Sequence, residues 1–90
     1  MQVAKSVRIA GRVQGVFFRA WAQQQAESLG LSGWVRNCPD GSVLALVSGD
    51  EAAVGQMIER LHAGPPSAVV ETVEVDEAAP DESGRFEIRG

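Results

Sequence analysis

The 90 residues are 44% hydrophobic and 22% charged, with a formal net charge of −4, which favours one folded domain over residues 1–90 and argues against disorder. The longest apolar run, residues 43–47, is far shorter than the roughly twenty residues of a membrane-spanning helix, and charges at Lys5, Arg8 and Arg12 interrupt any secretory signal. A single cysteine excludes an intrachain disulfide. We therefore expect a cytoplasmic protein with no membrane partner.

Positive charge is concentrated early in the chain. Residues 1–36 hold five cationic side chains against one acid, whereas residues 37–90 hold three arginines against eleven acids. A nucleic-acid binder is usually basic overall, so this pattern favours a small anionic ligand that is bound locally. The same arginines would also suit a solvated surface, and composition does not decide between the two interpretations.

The periodicity of apolar residues predicts the elements of the first half. Apolar residues alternate from Val3 to Val13, as in a strand with one polar face. They then recur at helical spacing over residues 18–29. Residues 31–38 and 42–48 are rich in β-formers, and the Pro-Asp-Gly turn at 39–41 predicts that they pair as a hairpin.

The second half of the chain is predicted to contain a second helix and two further strands. Asp50 predicts the N-cap of a second helix, which ends before the Gly-Pro-Pro segment at 64–66. A strand follows at residues 69–75, then a surface loop at 78–84 and a short last strand at 86–88. The order βαββαβ plus a short C-terminal strand predicts an α+β fold, the ferredoxin-like sandwich, with two helices packed on one face of an antiparallel sheet.

This topology brings two polar segments together. The first two strands flank a third strand that runs opposite to both, so their C-terminal ends meet at one edge of the sheet. The loop at residues 14–19 then lies near Asn37, about two strand spacings or roughly 10 Å away. Side chains and a small ligand can bridge that distance.

The strand-to-helix loop at residues 14–19 has the features of an anion site. A helix N-terminus presents backbone N–H groups without internal partners, and Gly15 lets a ligand approach closely. Arg19 offers a planar fork for two phosphate oxygens, and a cation at this position opposes the helix dipole unless an anion lies between them. The alternative is a tight turn beside a solvated arginine.

Asn37 ends the second predicted strand. Its neutral amide could hold a water molecule through one donor and one acceptor without repelling a phosphate dianion. Asparagine also caps turns, and the turn at 39–41 follows directly. Position alone does not decide between these roles.

Two segments resemble the signatures of the acylphosphatase family. Residues 11–19, Gly-Arg-Val-Gln-Gly-Val-Phe-Phe-Arg, match the pattern G-x-V-Q-G-V-x-F-R, and residues 33–37, Gly-Trp-Val-Arg-Asn, match the second signature. The resemblance covers nearly the whole chain. It implies metal-independent and cofactor-free hydrolysis of small acyl phosphates to a carboxylate and inorganic phosphate, with Arg19 and Asn37 as the catalytic pair. The backbone amides expected to bind the phosphate are those of Gly15, Val16, Phe17, Phe18 and Arg19.

Other chemically capable residues lack suitable partners in the sequence. His62 has no second ligand at metal-binding spacing, and Cys38 has no nearby histidine base. Asp40 is expected to serve the turn, and Trp21 and Trp34 are expected to pack against the core or its flanks. We therefore predict no metal site.

A non-catalytic module on the same fold is the alternative, either a phosphate sensor or a nucleic-acid binder. RNA-binding sheets of this kind stack bases on aromatic side chains of the open face. Here that face is expected to show Ser6, Arg8 and Arg12 beside Leu44 and Leu46, without a stacking platform. We therefore expect no nucleic-acid partner. We also expect a monomer. On the enzymatic interpretation, inorganic phosphate is both product and inhibitor.

Overall fold

The computed structural model describes residues 1–90 and contains every element that the sequence predicts, with bounds shifted by at most about two residues. In chain order the elements are β1 (Gln2–Arg12), α1 (Phe18–Ser28), β2 (Ser32–Asn37), β3 (Val43–Asp50), α2 (Glu51–Ala63), β4 (Val69–Glu77) and β5 (Phe86–Arg89). The predicted order, βαββαβ with a short last strand, is confirmed.

The five strands form one sheet in the order β4-β1-β3-β2-β5. The central strand β3 runs antiparallel to both β1 and β2, so those two strands end at the same edge, as predicted. β4 pairs antiparallel with β1, whereas β5 pairs parallel with β2. The connection from β4 to β5 crosses from one edge of the sheet to the other, and the expected antiparallel sheet therefore carries one parallel pair.

Both helices cover the same face of the sheet and bury a common core. The buried residues of α1 are Phe18, Ala22 and Ala26, and those of α2 are Val54, Met57 and Leu61. They pack against Val7, Ile9, Val35, Val43, Ala45, Val47 and Phe86 of the sheet. Each large apolar side chain that is fully buried stabilises the fold by about 1.5–3 kcal/mol. Neither helix has the length and apolar character that crossing a membrane requires.

Helix α2 has favourable groups at both ends. The Asp50 carboxylate accepts a hydrogen bond from the backbone N–H of Ala52 at 3.1 Å, which confirms the predicted N-cap. Glu51 lies in the first turn and Arg60 in the last turn, where their charges suit the helix dipole, and His62 also lies in the last turn. His62 is thus a helix-terminal residue.

The open face of the sheet differs from the expectation at Trp34. Trp34 lies opposite Leu46 in the β2–β3 pair, and directly paired residues point to the same side of a sheet. The guanidinium carbons of Arg36 and Arg89 lie 5.6 and 5.3 Å from the centre of the indole ring, which are cation–π distances. The residues predicted for this face come from the alternation of β1 and β3, and the alternation of β2, which places Trp34 here instead of against the core or its flanks, was not used.

Candidate active site

One pocket opens at the edge of the sheet where β1 and β2 end. Its cavity volume is about 320 Å³, and its walls come from the β1–α1 loop, the first turn of α1, the end of β2 and the last strand. The lining residues are Val13, Gly15, Phe17, Phe18, Arg19, Ala20, Asn37 and Ile88. Arg19 and Asn37, which the sequence predicts from two separate segments, therefore line the same pocket.

The sheet sets the position of Asn37. This residue is the last of β2, where it pairs with Val43 of β3, and it is half-buried. It shares the helix-covered face with Val35, which is fully buried two residues earlier. The alternation of β2 thus turns the Asn37 amide toward the beginning of α1.

The loop that leads into α1 contains two left-handed residues. Gly15 has φ of 74°, a conformation that glycine adopts without strain, and Phe17 has φ of 61°. For a residue with a side chain, this conformation costs roughly 1–2 kcal/mol. Backbone strain of this kind is concentrated at functional sites, where the surrounding structure holds it in place.

The N-terminus of α1 carries no capping side chain, in contrast to that of α2. Phe17 occupies the N-cap position, and the first turn contains no acidic residue. The N–H groups of Gly15, Val16 and Phe17 donate no hydrogen bond within the protein, and the first N–H groups of any helix lack an intrahelical acceptor. A run of free donors therefore surrounds the entry to α1, as an anion requires.

Arg19 is half-buried in the first turn of α1 and keeps its charge unpaired. Its guanidinium donates a hydrogen bond to the backbone carbonyl of Arg89 at 3.2 Å, and none of the ion pairs in the protein includes it. The bond to β5 orients the guanidinium without neutralising it. An anion in the pocket can therefore interact with the full positive charge.

Ser67, which lies in the connection between α2 and β4, holds the middle of the β1–α1 loop in place. Its hydroxyl donates to the backbone carbonyl of Val16 at 3.0 Å. The carbonyl and the N–H of one trans peptide point in opposite directions, so this bond turns the N–H of Phe17 away from Ser67. Val16 itself is not among the residues that line the pocket. Sequence reasoning did not identify Ser67, which lies about fifty residues along the chain from its acceptor.

Gln14 joins the loop to the β2–β3 turn. Its side-chain amide donates to the carbonyls of Cys38 and Ser42, each at 2.8 Å. Both acceptors flank the turn that follows Asn37, so a single side chain connects the two segments of the pocket. Gln14 is a polar residue at a fixed position of the first signature, which is the one sign of this role in the sequence. The sequence does not indicate which carbonyls its amide contacts.

The turn after Asn37 is closed by Asp40. The Asp40 carboxylate accepts hydrogen bonds from the hydroxyl and the backbone N–H of Ser42, at 2.6 and 2.9 Å, and Arg8 lies 3.6 Å away. The hydrogen bond from the Ser42 hydroxyl lowers the pKa of Asp40 most, and the bond from the Ser42 backbone N–H comes next. The positive charge of Arg8 lowers this pKa further. Asp40 serves the turn, as the sequence predicts, and the Cys38 thiol beside it is buried and free.

Replacement of Gln14 by leucine should reduce turnover more than substrate binding. Each of the two part-buried carbonyls loses its side-chain donor but keeps a backbone donor, Gly41 for Cys38 and Cys38 for Ser42. We therefore expect the replacement to cost about 1 kcal/mol of stability and to loosen the turn that follows Asn37. Gln23→Leu is the matched control, because the Gln23 amide donates to the Phe86 carbonyl at 3.0 Å, outside the pocket lining. Steady-state kinetics and thermal melts of both variants check this, and a Gln14→Leu enzyme that keeps its kcat would contradict it.

The structure contains no group of three or more His, Cys, Asp or Glu side chains arranged to hold a metal ion.

The chain is similar to acylphosphatases in sequence and in structure. Residues 5–88 match the acylphosphatase family model. An acylphosphatase of Azoarcus sp. (strain BH72) is 54% identical over 84 residues, which cover 93% of this chain and 86% of the relative. One from Anaeromyxobacter dehalogenans (strain 2CP-C) is 49% identical over 89 residues, covering 98% and 96%. The crystal structure of acylphosphatase from Bacillus subtilis superimposes with a TM-score of 0.92 at 36% identity, and the match covers 100% of both chains.

Proposed function

Since this chain belongs to the acylphosphatase family and hydrolyses the carboxyl-phosphate bond of acyl phosphates, we propose that Arg19 and Asn37 divide the chemistry of that reaction between them. Arg19 holds the phosphoryl group, and Asn37 holds the water molecule that attacks it. The observation that carries this proposal is the placement of an unpaired arginine, an uncapped helix N-terminus and Asn37 around one pocket.

The phosphoryl group occupies a cradle made of the backbone N–H groups of residues 15–19 and the Arg19 guanidinium. These donors are already in place before the substrate arrives, so they stabilise the charge on the equatorial oxygens without reorganisation. The free N–H groups of the loop and the unneutralised charge of Arg19 support this assignment. Gly15 and the left-handed Phe17 shape the loop.

Asn37 places the water for attack on phosphorus. Its amide offers both a donor and an acceptor, so it orients a water molecule without adding negative charge next to the phosphate. The oxygen of the water bonds to phosphorus while the bond from phosphorus to the acyl oxygen breaks, and its electron pair leaves with the carboxylate. The lining residues include no carboxylate, histidine or lysine. The proton of the water therefore passes to a phosphate oxygen.

Inorganic phosphate, the product, binds the same cradle and competes with the substrate. We propose further that the protein acts as a monomer in the cytoplasm, without a membrane or nucleic-acid partner. The net charge of −4 and the sequence pI of about 4.8 support the last point, because both oppose binding to a polyanion. The indole of Trp34 on the open face is also in contact with the guanidinium groups of Arg36 and Arg89, so it is not free to stack on a base.

Phosphate release in the presence of a chelator tests the metal-independent reaction. The purified protein should hydrolyse benzoyl phosphate and acetyl phosphate at the same rate with and without EDTA. Glycerol phosphate should be a poor substrate, because its alkoxide is a worse leaving group than a carboxylate. Loss of activity with EDTA, followed by recovery on addition of a divalent cation, would show that the cradle needs a metal.

A further inference from the structure

The protein and its substrate carry charges of the same sign. The formal net charge of the chain is −4, and the phosphoryl group of an acyl phosphate is an anion. If the negative charge were spread evenly over the surface, it would repel the substrate before contact with the pocket. The distribution of charge along the strands therefore matters more for catalysis than the net value.

Four acidic side chains lie at the end of the sheet opposite the pocket. β1 and β2 run toward the pocket, whereas the antiparallel strands β3 and β4 run away from it. β3 ends at Asp50, α2 begins at Glu51, and the last two residues of β4 are Asp76 and Glu77. Their negative charge is thus kept about the length of a strand away from the pocket.

Two arginines lie at the pocket end. Arg12 precedes Val13 and Arg36 precedes Asn37, so each arginine is the sequence neighbour of a lining residue. Because successive side chains of a strand point to opposite faces, both guanidinium groups belong to the open face, behind the pocket. Both side chains are exposed. Consecutive Cα atoms are about 3.8 Å apart, so each positive charge lies roughly 10 Å from the pocket.

The charges of Arg12 and Arg36 are not neutralised within the protein. Neither guanidinium takes part in an ion pair or a hydrogen bond. The Arg36 guanidinium lies 5.6 Å from the centre of the Trp34 ring, a neutral partner that leaves its charge in place. Asp40, an acidic residue of the neighbouring turn, is itself paired with Arg8 at 3.6 Å. The pocket end therefore presents unpaired positive charge.

We infer that Arg12 and Arg36 attract the anionic substrate to the pocket through their long-range field, without contacting it once it is bound. The inference rests on the proposed function, since it takes Arg19 as the residue that receives the phosphoryl group. A cleft bordered by unpaired charge raises the local concentration of an oppositely charged substrate and its rate of association. The two arginines therefore raise kcat/KM and leave kcat unchanged.

The salt dependence of kcat/KM tests this inference. Benzoyl phosphate hydrolysis is measured for the wild-type protein, Arg12→Gln, Arg36→Gln and the double variant. In about 10 mM sodium chloride, kcat/KM should fall about threefold in each single variant and about tenfold in the double variant, with kcat unchanged. In about 0.5 M sodium chloride, where the field is screened within a few ångströms, all four proteins should agree within about 1.5-fold.

Two kinds of control accompany these variants. Arg12→Lys and Arg36→Lys keep the charge and should keep the wild-type kcat/KM, because a field does not depend on the planar fork of arginine. Arg85→Gln removes an exposed arginine that directly precedes β5, at the end of the sheet opposite the pocket. It should match the wild type at both salt concentrations.

A loss in the glutamine variants that persists in high salt, or that appears in kcat, would overturn the inference, because a screened field causes neither. Unchanged kcat/KM in the double variant at low salt would also overturn it. Arg19→Lys in the same series separates the two proposals. Its loss should persist in high salt, since Arg19 contacts the phosphoryl group, and a folded Arg19→Lys protein with normal kcat/KM at both salt concentrations would instead overturn the cradle.

Discussion

Replacement of Arg19 by lysine should lower kcat/KM for benzoyl phosphate by roughly 30- to 1000-fold, equivalent to about 2 to 4 kcal/mol of transition-state stabilisation. Lysine keeps the positive charge but loses the planar fork that contacts two phosphoryl oxygens. It also loses the geometry of the hydrogen bond to the Arg89 carbonyl, which orients the guanidinium in the wild type. Steady-state kinetics of the purified variant measure the loss.

Arg60→Lys is the matched control for this substitution. The Arg60 guanidinium donates to the side chains of Gln25 and Ser28, at 2.9 and 3.1 Å, and none of the three residues lines the pocket. We expect Arg60→Lys to retain kcat/KM within about twofold, because both hydrogen bonds lie outside the pocket lining. Near-normal kcat/KM in a folded Arg19→Lys variant would remove Arg19 from the mechanism.

Asn37→Ala should lower kcat by about 100-fold, since a water that is no longer positioned reacts much more slowly. Substrate binding should change little, because the donors of residues 15–19 remain in place. Gln56→Ala is the control, an amide-to-alanine change at an exposed position of α2, and it should keep the wild-type kcat. Thermal melts followed by circular dichroism check that the turn after residue 37 remains folded. A folded Asn37→Ala enzyme with full turnover would remove Asn37 from the mechanism.

The elements and their order follow from local patterns in the sequence. Period-two alternation predicts β1, and helical spacing predicts α1, because each pattern records which side of the element faces the core. The hydrogen bonds between Asp40 and Ser42 are also predictable from the sequence, since they join residues two positions apart. The fold topology then brings Arg19 and Asn37 to one edge of the sheet, and both line the pocket.

The contacts that support the pocket are not encoded in such patterns. The Gln14 amide bonds carbonyls 24 and 28 residues away, the Ser67 hydroxyl reaches a carbonyl 51 residues away, and the Arg19 guanidinium reaches one 70 residues away. Every residue except proline carries the same backbone carbonyl and N–H, so a backbone acceptor leaves no mark in the sequence. Only the folded chain reveals these supporting contacts.

The division of labour between Arg19 and Asn37 is tested most directly by the competitive inhibition constant of inorganic phosphate in the two variants. Inorganic phosphate binds to the cradle, and its binding does not need the water molecule that Asn37 holds. The inhibition constant for Asn37→Ala should therefore stay within about twofold of the wild type. The constant for Arg19→Lys should rise by about tenfold or more, because a charged fork is lost. An Asn37→Ala enzyme that kept its kcat and lost phosphate affinity would make Asn37 a binding residue and contradict its role in placing the water.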